Sequence, residues 1–392
     1  MVLRHTHLTI IGRTDFRGER RPFGMRVADR RHHLYLVGKT GTGKSTLLES
    51  LIRQDLMHGH GLALLDPHGD LVARVLARLP AARERDLVFL DAPNPELEWG
   101  FNPLRGVPPG KRVVAASGLL EVMKKIWADS WGPRLEHILR NALLALLDQP
   151  QATLADVLRL LSDDAYRREA MKNVSSFPVR AFWLKEYEKY PARFRLEAIA
   201  PIQNKVGAFL SNPLLYRILT TPGRPLDLRR VMDERKVLLV NLAKGRIGED
   251  TATLLGALLV SSLAWIAMSR VDLAEDERTD FFVHLDEFHA FTTLSLATML
   301  SELRKYRVGL TLSHQHLAQL QPEVREAILG NVGSLIAFRV GPSDAEILAE
   351  EFAPQVKGID LMNLPNYRAY VKLLVDGGPA TPFSAETLPP MN

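Results

Sequence analysis

Cysteine is absent from this sequence, so it holds no disulfide framework and no cysteine-ligated zinc or iron–sulfur centre, in keeping with a reducing compartment. An excess of charge of one sign is lacking too. Lys and Arg number 50 against 45 Asp and Glu, a formal net charge of +5 over 392 residues. Spread that thinly, the balance tolerates a polyanionic partner without pointing to one. No internal repeat or low-complexity tract occurs, and 46% hydrophobic with 24% charged residues excludes disorder over most of the length. The opening Met1-Val-Leu-Arg-His-Thr-His lacks the apolar core of a signal peptide. Long uncharged runs are also rare. The one from Thr251 to Ser269 comes near the ~20 residues that span a bilayer. It is interrupted by Thr251, Thr253, Ser261, Ser262 and Ser269, and it lies between two strand-like runs that must share one side of any membrane. A buried crossover helix is predicted there, and no intrinsic membrane span.

What is present is a rhythm of short apolar runs and helices. His7 to Asp29 has alternating runs punctuated by Gly12, Gly18, Pro22 and Gly24, predicting a strand or hairpin preface. Seven arginines between Arg13 and Arg31 suit either contact with phosphates or a solvated loop. Leu34–Val37 reads as a strand, followed by a Gly-rich loop and a helix from Lys44 to about His58. Gly61–Leu65 and Asp86–Leu90 are further strands, with a helix near Leu71–Leu79 between them. From about Gly106 to Arg235 the periodicity is helical, as in Leu135–Leu147 and Val206–Leu210. Strands resume at Val237–Leu242, Phe281–Leu285, Leu310–Leu312 and Leu335–Phe338, with a helix near Ser295–Tyr306 and a last strand at Tyr370–Val375. The predicted fold is α/β: a mainly parallel sheet with helices on both faces, plus an all-helical inserted domain. The predicted divisions are 1–105, 106–235 and 236–392.

Three segments carry chemistry. Gly38-Lys-Thr-Gly-Thr-Gly-Lys-Ser45 matches the phosphate-binding loop in full. Its glycines let backbone N–H groups turn inward around phosphate oxygens, and the following helix N-terminus adds a favourable dipole. Gly38, Thr40, Gly41, Thr42, Gly43, Lys44, Ser45 and Thr46 are the predicted nucleotide-binding residues. Lys44 would reach the β- and γ-phosphates and Ser45 would ligate Mg²⁺. Phe281-Phe-Val-His-Leu285 runs into Asp286-Glu287-Phe288-His289. There Asp286 is the predicted second metal ligand and Glu287 the general base for the attacking water. Gln315, in Leu310-Thr-Leu-Ser-His-Gln, is the predicted γ-phosphate sensor. His314 and His316 alternate along the same run, a weak metal-ligand pattern on two histidines alone.

Other residues stay open at this level. Arg304 and Arg339 are expected as free guanidinium groups near the same sheet edge, either of them able to act as an arginine finger. Asp66 and His68, in Asp66-Pro-His-Gly-Asp70, either arrange a water, couple nucleotide state to a partner, or form a plain turn. Phe177 to Arg195 mixes Phe182, Trp183, Tyr187 and Tyr190 with Arg180, Lys185, Arg193 and Arg195. That mixture suits base stacking or an amphipathic helix that buries its rings.

Taken together, these residues resemble the HerA–FtsK superfamily of hexameric DNA translocases, especially the ATPase part of type IV secretion coupling proteins. Leu64–Asp70, Leu300–Tyr306, Asn331–Arg339, Trp131–Glu136 and Asn204–Leu210 extend the likeness over about residues 30–355. The resemblance implies a P-loop NTPase (RecA-like) sheet and ATP and Mg²⁺ as cofactors, with Lys44, Glu287 and Gln315 in catalytic roles. It also implies Arg304 or Arg339 as a finger acting across subunits, and a helical insertion that meets the incoming substrate. A ring-forming DNA translocase, a homo-hexamer working on DNA, is the implied function. An ATP-dependent docking protein that recruits a protein partner to a secretion channel is the alternative. A nuclease, a relaxase or a secretion channel would be its partner. Membrane-bound coupling proteins carry N-terminal membrane helices, whereas this sequence starts almost at the motor. The expected location is cytoplasmic, peripheral at the inner membrane face through a partner.

Overall fold

A computed structural model describes residues 8–15, 20–96, 98–220, 224–293 and 300–390. The chain forms two compact units. One comprises Met1–Phe89, Arg229–Ala243 and Arg270–Asn392; the other comprises Leu90–Leu228 and Lys244–Ser269.

The apolar runs become the strands of one large sheet. In chain order they are β1 (Leu8–Thr14), β2 (Pro22–Arg26), β3 (Leu34–Val37), β4 (Gly61–Asp66), β5 (Leu87–Asp91) and β6 (Val237–Asn241). There follow β7 (Phe281–Leu285), β8 (Val308–His314), β9 (Ser334–Ala337), β10 (Arg368–Lys372) and β11 (Phe383–Thr387). Across the sheet they lie in the order β2-β1-β11-β10-β9-β3-β8-β7-β4-β6-β5. The stretch from β9 to β6 is parallel throughout. β10, β11, β1 and β2 are added antiparallel. Every residue of β3, β4, β7 and β8 is buried, the reason those strands read as continuous apolar runs: a parallel sheet is covered on both faces.

The register sets up the site. His314 is opposite Val37, Leu312 is opposite Leu285, and Leu285 is opposite Leu65. Gly38, Asp286, Gln315 and the loop after Asp66 therefore leave the sheet at one edge, the carboxyl ends of adjacent parallel strands. Helix α1 (Lys44–Met57) packs behind the first of these loops and puts Leu47, Leu48, Leu51, Ile52 and Leu56 into a core shared with Leu34, Leu36, Leu62 and Leu64. Each such leucine contributes about 1.5–3 kcal/mol by leaving water. The amide of Gln54, also on α1, accepts from Ile10 N (2.7 Å) and donates to Ile10 O (2.8 Å). Those two bonds fix the β1–β2 hairpin predicted for the N-terminal segment to the sheet's core helix.

The helical unit contains α2 (Arg112–Ile126), α3 (Pro133–Leu147), α4 (Ala192–Leu210) and α5 (Glu249–Ser269). It differs from the predicted 106–235. Arg229–Ala243 belongs to the sheet unit, whereas α5, placed by sequence rhythm with the sheet, belongs to the helical unit. α5 and α2 meet closely at Ser261 and Gly118. The segment Glu249–Asp272 is long and apolar enough to cross a membrane, with mean hydropathy 1.8, yet 89% of that window is buried inside the protein. Helices that are apolar all round are core helices when protein surrounds them.

Two element predictions shift. The strand expected last, at Tyr370–Val375, is β10, which begins earlier and ends at Lys372, and β11 follows it as the closing strand. Of the helix expected over Ser295–Tyr306, residues 295–299 lie outside the described residues, and the rest ends in a 3-10 turn at Arg304–Tyr306.

Candidate active site

The loop after β3 holds its shape through glycines. Gly38 has φ 158° and Gly43 has φ 120°; a Cβ on Gly38 would stand 2.6 Å from Phe338 Cβ, and one on Gly43 3.0 Å from the Tyr367 ring. No other residue fits such conformations at such distances. The backbone is tied to both neighbours: Lys39 N donates to Arg339 O (2.8 Å), and Tyr367 N donates to Thr42 O (2.8 Å). Thr42 Oγ1 closes the loop on Lys39 O (2.7 Å). Lys44, at the start of α1, turns its ammonium to the carbonyls of Gly38 and Lys39. Burial lowers its pKa, and the charges of Glu287 and Asp286 oppose that shift.

A cavity of about 320 Å³ opens over this loop. Thr40, Gly41, Gly43, Lys44, Ser45 and Thr46 form its floor, and Asp286, Glu287, Gln315, His68 and Tyr367 complete the wall. Every predicted member of the phosphate loop and of the acidic pair thus meets in one place, apart from Gly38 and Thr42, which do not line the cavity. Asp286 is buried, and its pKa is pushed up to about 6, by burial first and then by the charges of Asp66 and Glu287, with Lys44 opposing. A cluster of carboxylates facing a single ammonium, beside the Ser45 hydroxyl, is a donor set that fits a hard divalent cation.

Glu287 takes the left-handed backbone (φ 46°, ψ 47°), which costs a non-glycine residue about 1–2 kcal/mol. The turn aims its carboxylate at Gln315, whose Nε2 donates to Glu287 Oε1 (2.6 Å). Thr40 Oγ1 donates in turn to Gln315 Oε1 (2.7 Å). A hydrogen-bonded path therefore joins the tip of the phosphate loop to the carboxylate through Gln315.

Several open alternatives resolve. The Asp66 carboxylate accepts from His68 N, Leu71 N and Val72 N (2.9, 2.8 and 3.0 Å), so it caps helix Asp70–Leu76 and fixes the turn, while the His68 side chain reaches the cavity. His314 is buried and bonded to the Tyr35 hydroxyl, whereas the exposed His316 faces Asp344 at 3.5 Å. No group of three metal-ligating side chains exists among the described residues. The rings of Trp183 and Tyr187 are fully buried and hydrogen-bonded to Asn141 O and Leu161 O; these two are core rather than a stacking surface. Among the N-terminal arginines, Arg26, Arg30 and Arg31 pair with Asp376, Asp55 and Asp280, so those three side chains are already committed.

The two arginines lie at opposite edges. Arg304 precedes β8, and its guanidinium meets His32 Nδ1 (3.2 Å) just before β3, at the amino ends of the strands. The length of β8, roughly 20 Å, separates it from Gln315. Arg339 follows β9 at the catalytic edge, but its guanidinium is bonded to Leu364 O (3.0 Å) and Asn366 Oδ1 (2.9 Å). The expectation of two free guanidinium groups near one edge is corrected on both counts. Tyr367 has no motif to announce it. It reaches the cavity because β10 runs antiparallel to β9 and so begins where β9 ends.

The sequence profile described as the central domain of helicase HerA matches residues 18–246, more than half of the chain. The chain belongs to that family. It is a HerA-type P-loop ATPase of the HerA–FtsK group. Among solved structures, the plasmid coupling protein TrwB in complex with ADP and Mg²⁺ is 16% identical, with a TM-score of 0.65 over 94% of this chain and 87% of TrwB. TrwB with the ATP analogue ADPNP gives 16% identity and a TM-score of 0.64, covering 93% and 86%. VirB4 of Thermoanaerobacter pseudethanolicus is also 16% identical, with a TM-score of 0.65 over 99% of this chain and 97% of VirB4. At such identities the likeness is one of fold, and it extends through the HerA-type sheet and its helical companion. No curated protein sequence matches the chain significantly.

Proposed function

We propose that this chain is a ring-forming, ATP-hydrolysing DNA translocase of the conjugative coupling-protein and HerA type. The meeting of Lys44, Asp286, Glu287 and Gln315 in one cavity at the carboxyl edge of the parallel strands carries the reading. ATP is the substrate, seated on Gly38–Thr46. Lys44 neutralises the β- and γ-phosphates, and Ser45 and Asp286 would hold Mg²⁺. When bound, that ion would offset the charge developing on the phosphate oxygens. Glu287 accepts the proton of the attacking water, and Gln315 senses the γ-phosphate while linking that carboxylate to the phosphate loop. Family membership and the fold shared with coupling proteins support a motor role.

In this reading the ring is a homo-hexamer and Arg304 is the finger. The distance of Arg304 from its own phosphate loop supports a neighbouring subunit's nucleotide as its target. Arg339 instead braces the segment 364–366 beside the nucleotide cavity. The protein acts in the cytoplasm, at the inner membrane face through a nuclease, relaxase or secretion-channel partner.

ATP turnover measured with and without single- and double-stranded DNA, alongside the assembly mass with ATP, tests this. DNA-stimulated turnover by a hexamer is expected. A rate indifferent to every nucleic acid would sink the motor reading and favour an ATPase that docks a protein partner. Lys44→Ala should lose nucleotide binding, whereas Glu287→Gln should bind ATP while turnover falls by about 10²–10⁴. Hydrolysis recovered in mixed rings of Arg304→Ala and Lys44→Ala subunits would support the finger, and well-formed mixed rings without recovery would exclude it.

A further inference from the structure

Glu287 has two different oxygens. Oε1 accepts from Gln315, whereas Oε2 is buried and receives no hydrogen bond among the described residues. His289 Nδ1 lies beside Oε2, at 3.5 Å. The protonation of that ring follows from the bonds around it. His316 N donates to Gln319 Oε1 (3.1 Å), which fixes the Gln319 amide with its NH₂ end outward. That NH₂ meets His289 Nε2 at 3.4 Å. An amide nitrogen can only donate, so Nε2 is the acceptor and the ring's proton sits on Nδ1, the nitrogen that faces Glu287. The ring also packs beside His314, with centroids 6.2 Å apart, and His314 is anchored in turn on Tyr35.

We propose that His289, oriented by Gln319, is a positioning residue for Glu287, presenting its Nδ1–H to the oxygen that takes up the attacking water's proton. The inference rests on Glu287 being the general base. Gln315 holds one carboxylate oxygen and His289 faces the other, so the carboxylate plane is restrained from both sides. The lone pairs left on Oε2 then point at a defined position for water. A carboxylate free to rotate would spend part of its time turned away from that position, and rate is lost with such misorientation while substrate binding is not. Gln319 acts one step further out, by selecting the imidazole tautomer.

Steady-state ATP hydrolysis by the full chain tests the proposal, with kcat and KM taken separately for His289→Ala, His289→Asn, His289→Gln, Gln319→Ala and Glu287→Gln. His289→Ala should lower kcat about tenfold or more, within the span of outer-shell partners, with KM for ATP little changed. Asn places an amide N–H near the Nδ1 position and should restore most of kcat; Gln, whose amide extends toward the Nε2 position, should not. Gln319→Ala should show a smaller loss of kcat. Wild-type kcat in His289→Ala, or equal rescue by Asn and Gln, would overturn the proposal while an inactive Glu287→Gln leaves the base assignment standing. Normal turnover by Glu287→Gln would remove both. If His289→Ala does not fold, the contrast between the Asn and Gln variants decides.

Discussion

Asp55 carries a prediction that the structure makes quantitative. It lies on α1, eleven residues after Lys44, and is wholly buried. Arg30 donates to both of its oxygens (2.5 and 2.8 Å) and to Thr9 Oγ1 (3.0 Å), while its guanidinium stacks 3.7 Å from the centre of the Phe282 ring. His284 Nε2, on β7 two residues before Asp286, contacts Asp55 Oδ2 at 3.0 Å. Burial holds His284 below its usual pKa, so the ring is neutral and donates. Burial raises the Asp55 carboxyl pKa, but Arg30 and His284 together outweigh it and keep the group well below the usual carboxylate range. Asp55→Asn keeps the shape and removes the charge. Arg30, itself only 4% exposed, is then a buried cation without a counter-ion. Breaking such a pair costs about 3–5 kcal/mol. At about 1.4 kcal/mol per decade, amide protection in β3, β4 and β7 should fall by roughly 10² to a few times 10³. Hydrogen exchange is the proper assay, because all five tryptophans lie in the helical unit and their fluorescence reports on that unit. The double variant Arg30→Met with Asp55→Leu should recover most of the loss, since an apolar pair of similar volume replaces a buried ion pair at little cost. A loss under about 1 kcal/mol in Asp55→Asn, or a double variant as weak as the single, would refute the account.

Two further predictions follow from groups around the same sheet. Burial depresses the pKa of His33 to about 4. Its Nε2 meets Leu300 O (2.7 Å) and its Nδ1 accepts from Leu310 N (3.0 Å), so the neutral ring is the bonded form. The unfolded chain, with a pKa near 6.5, binds the proton first. The stabilisation is therefore full above pH 6.5 and is lost as pH falls toward 4, by about 2 kcal/mol at pH 5. His33→Asn, which tolerates the φ of 69° at that position, should be weaker at pH 7.5 but lose less between pH 7.5 and 5. An unchanged pH slope of sheet-amide exchange would contradict this. Arg339→Ala removes the bonds to Leu364 O and Asn366, which brace the segment leading to Tyr367 and the cavity wall. KM for ATP should rise several-fold with a smaller change in kcat, and a kcat collapse at constant KM would show that Arg339 acts on the transition state instead.

The parts of this protein that were legible in its sequence share one property: their geometry is set locally or by a parallel strand. Gly38–Ser45 shapes itself through its own glycines and the helix after it. Asp286 and Gln315 each follow an apolar run, and the carboxyl ends of parallel strands gather at one edge whatever the order of strands across the sheet. That argument fails for residues before a strand. Arg304 precedes β8, so parallel geometry sends it to the far edge, a conclusion available from sequence by the rule that located Gln315. Tyr367 also precedes a strand, but β10 is antiparallel to β9, and nothing local in Arg368–Lys372 announces strand direction. Its approach to Gly43 is a consequence of topology alone. The placement of α5 was hidden for a related reason, since uniform apolarity says that a helix is buried without saying which unit surrounds it. His289 and Gln319 belong to neither case. The adjacency of His289 to the acidic pair was visible, but its tautomer depends on an amide thirty residues away whose orientation is fixed by a backbone N–H at the end of β8. What pattern cannot supply at this site is the choice of which atom carries a proton. That choice distinguishes a carboxylate merely near a nucleotide from one held ready to deprotonate water.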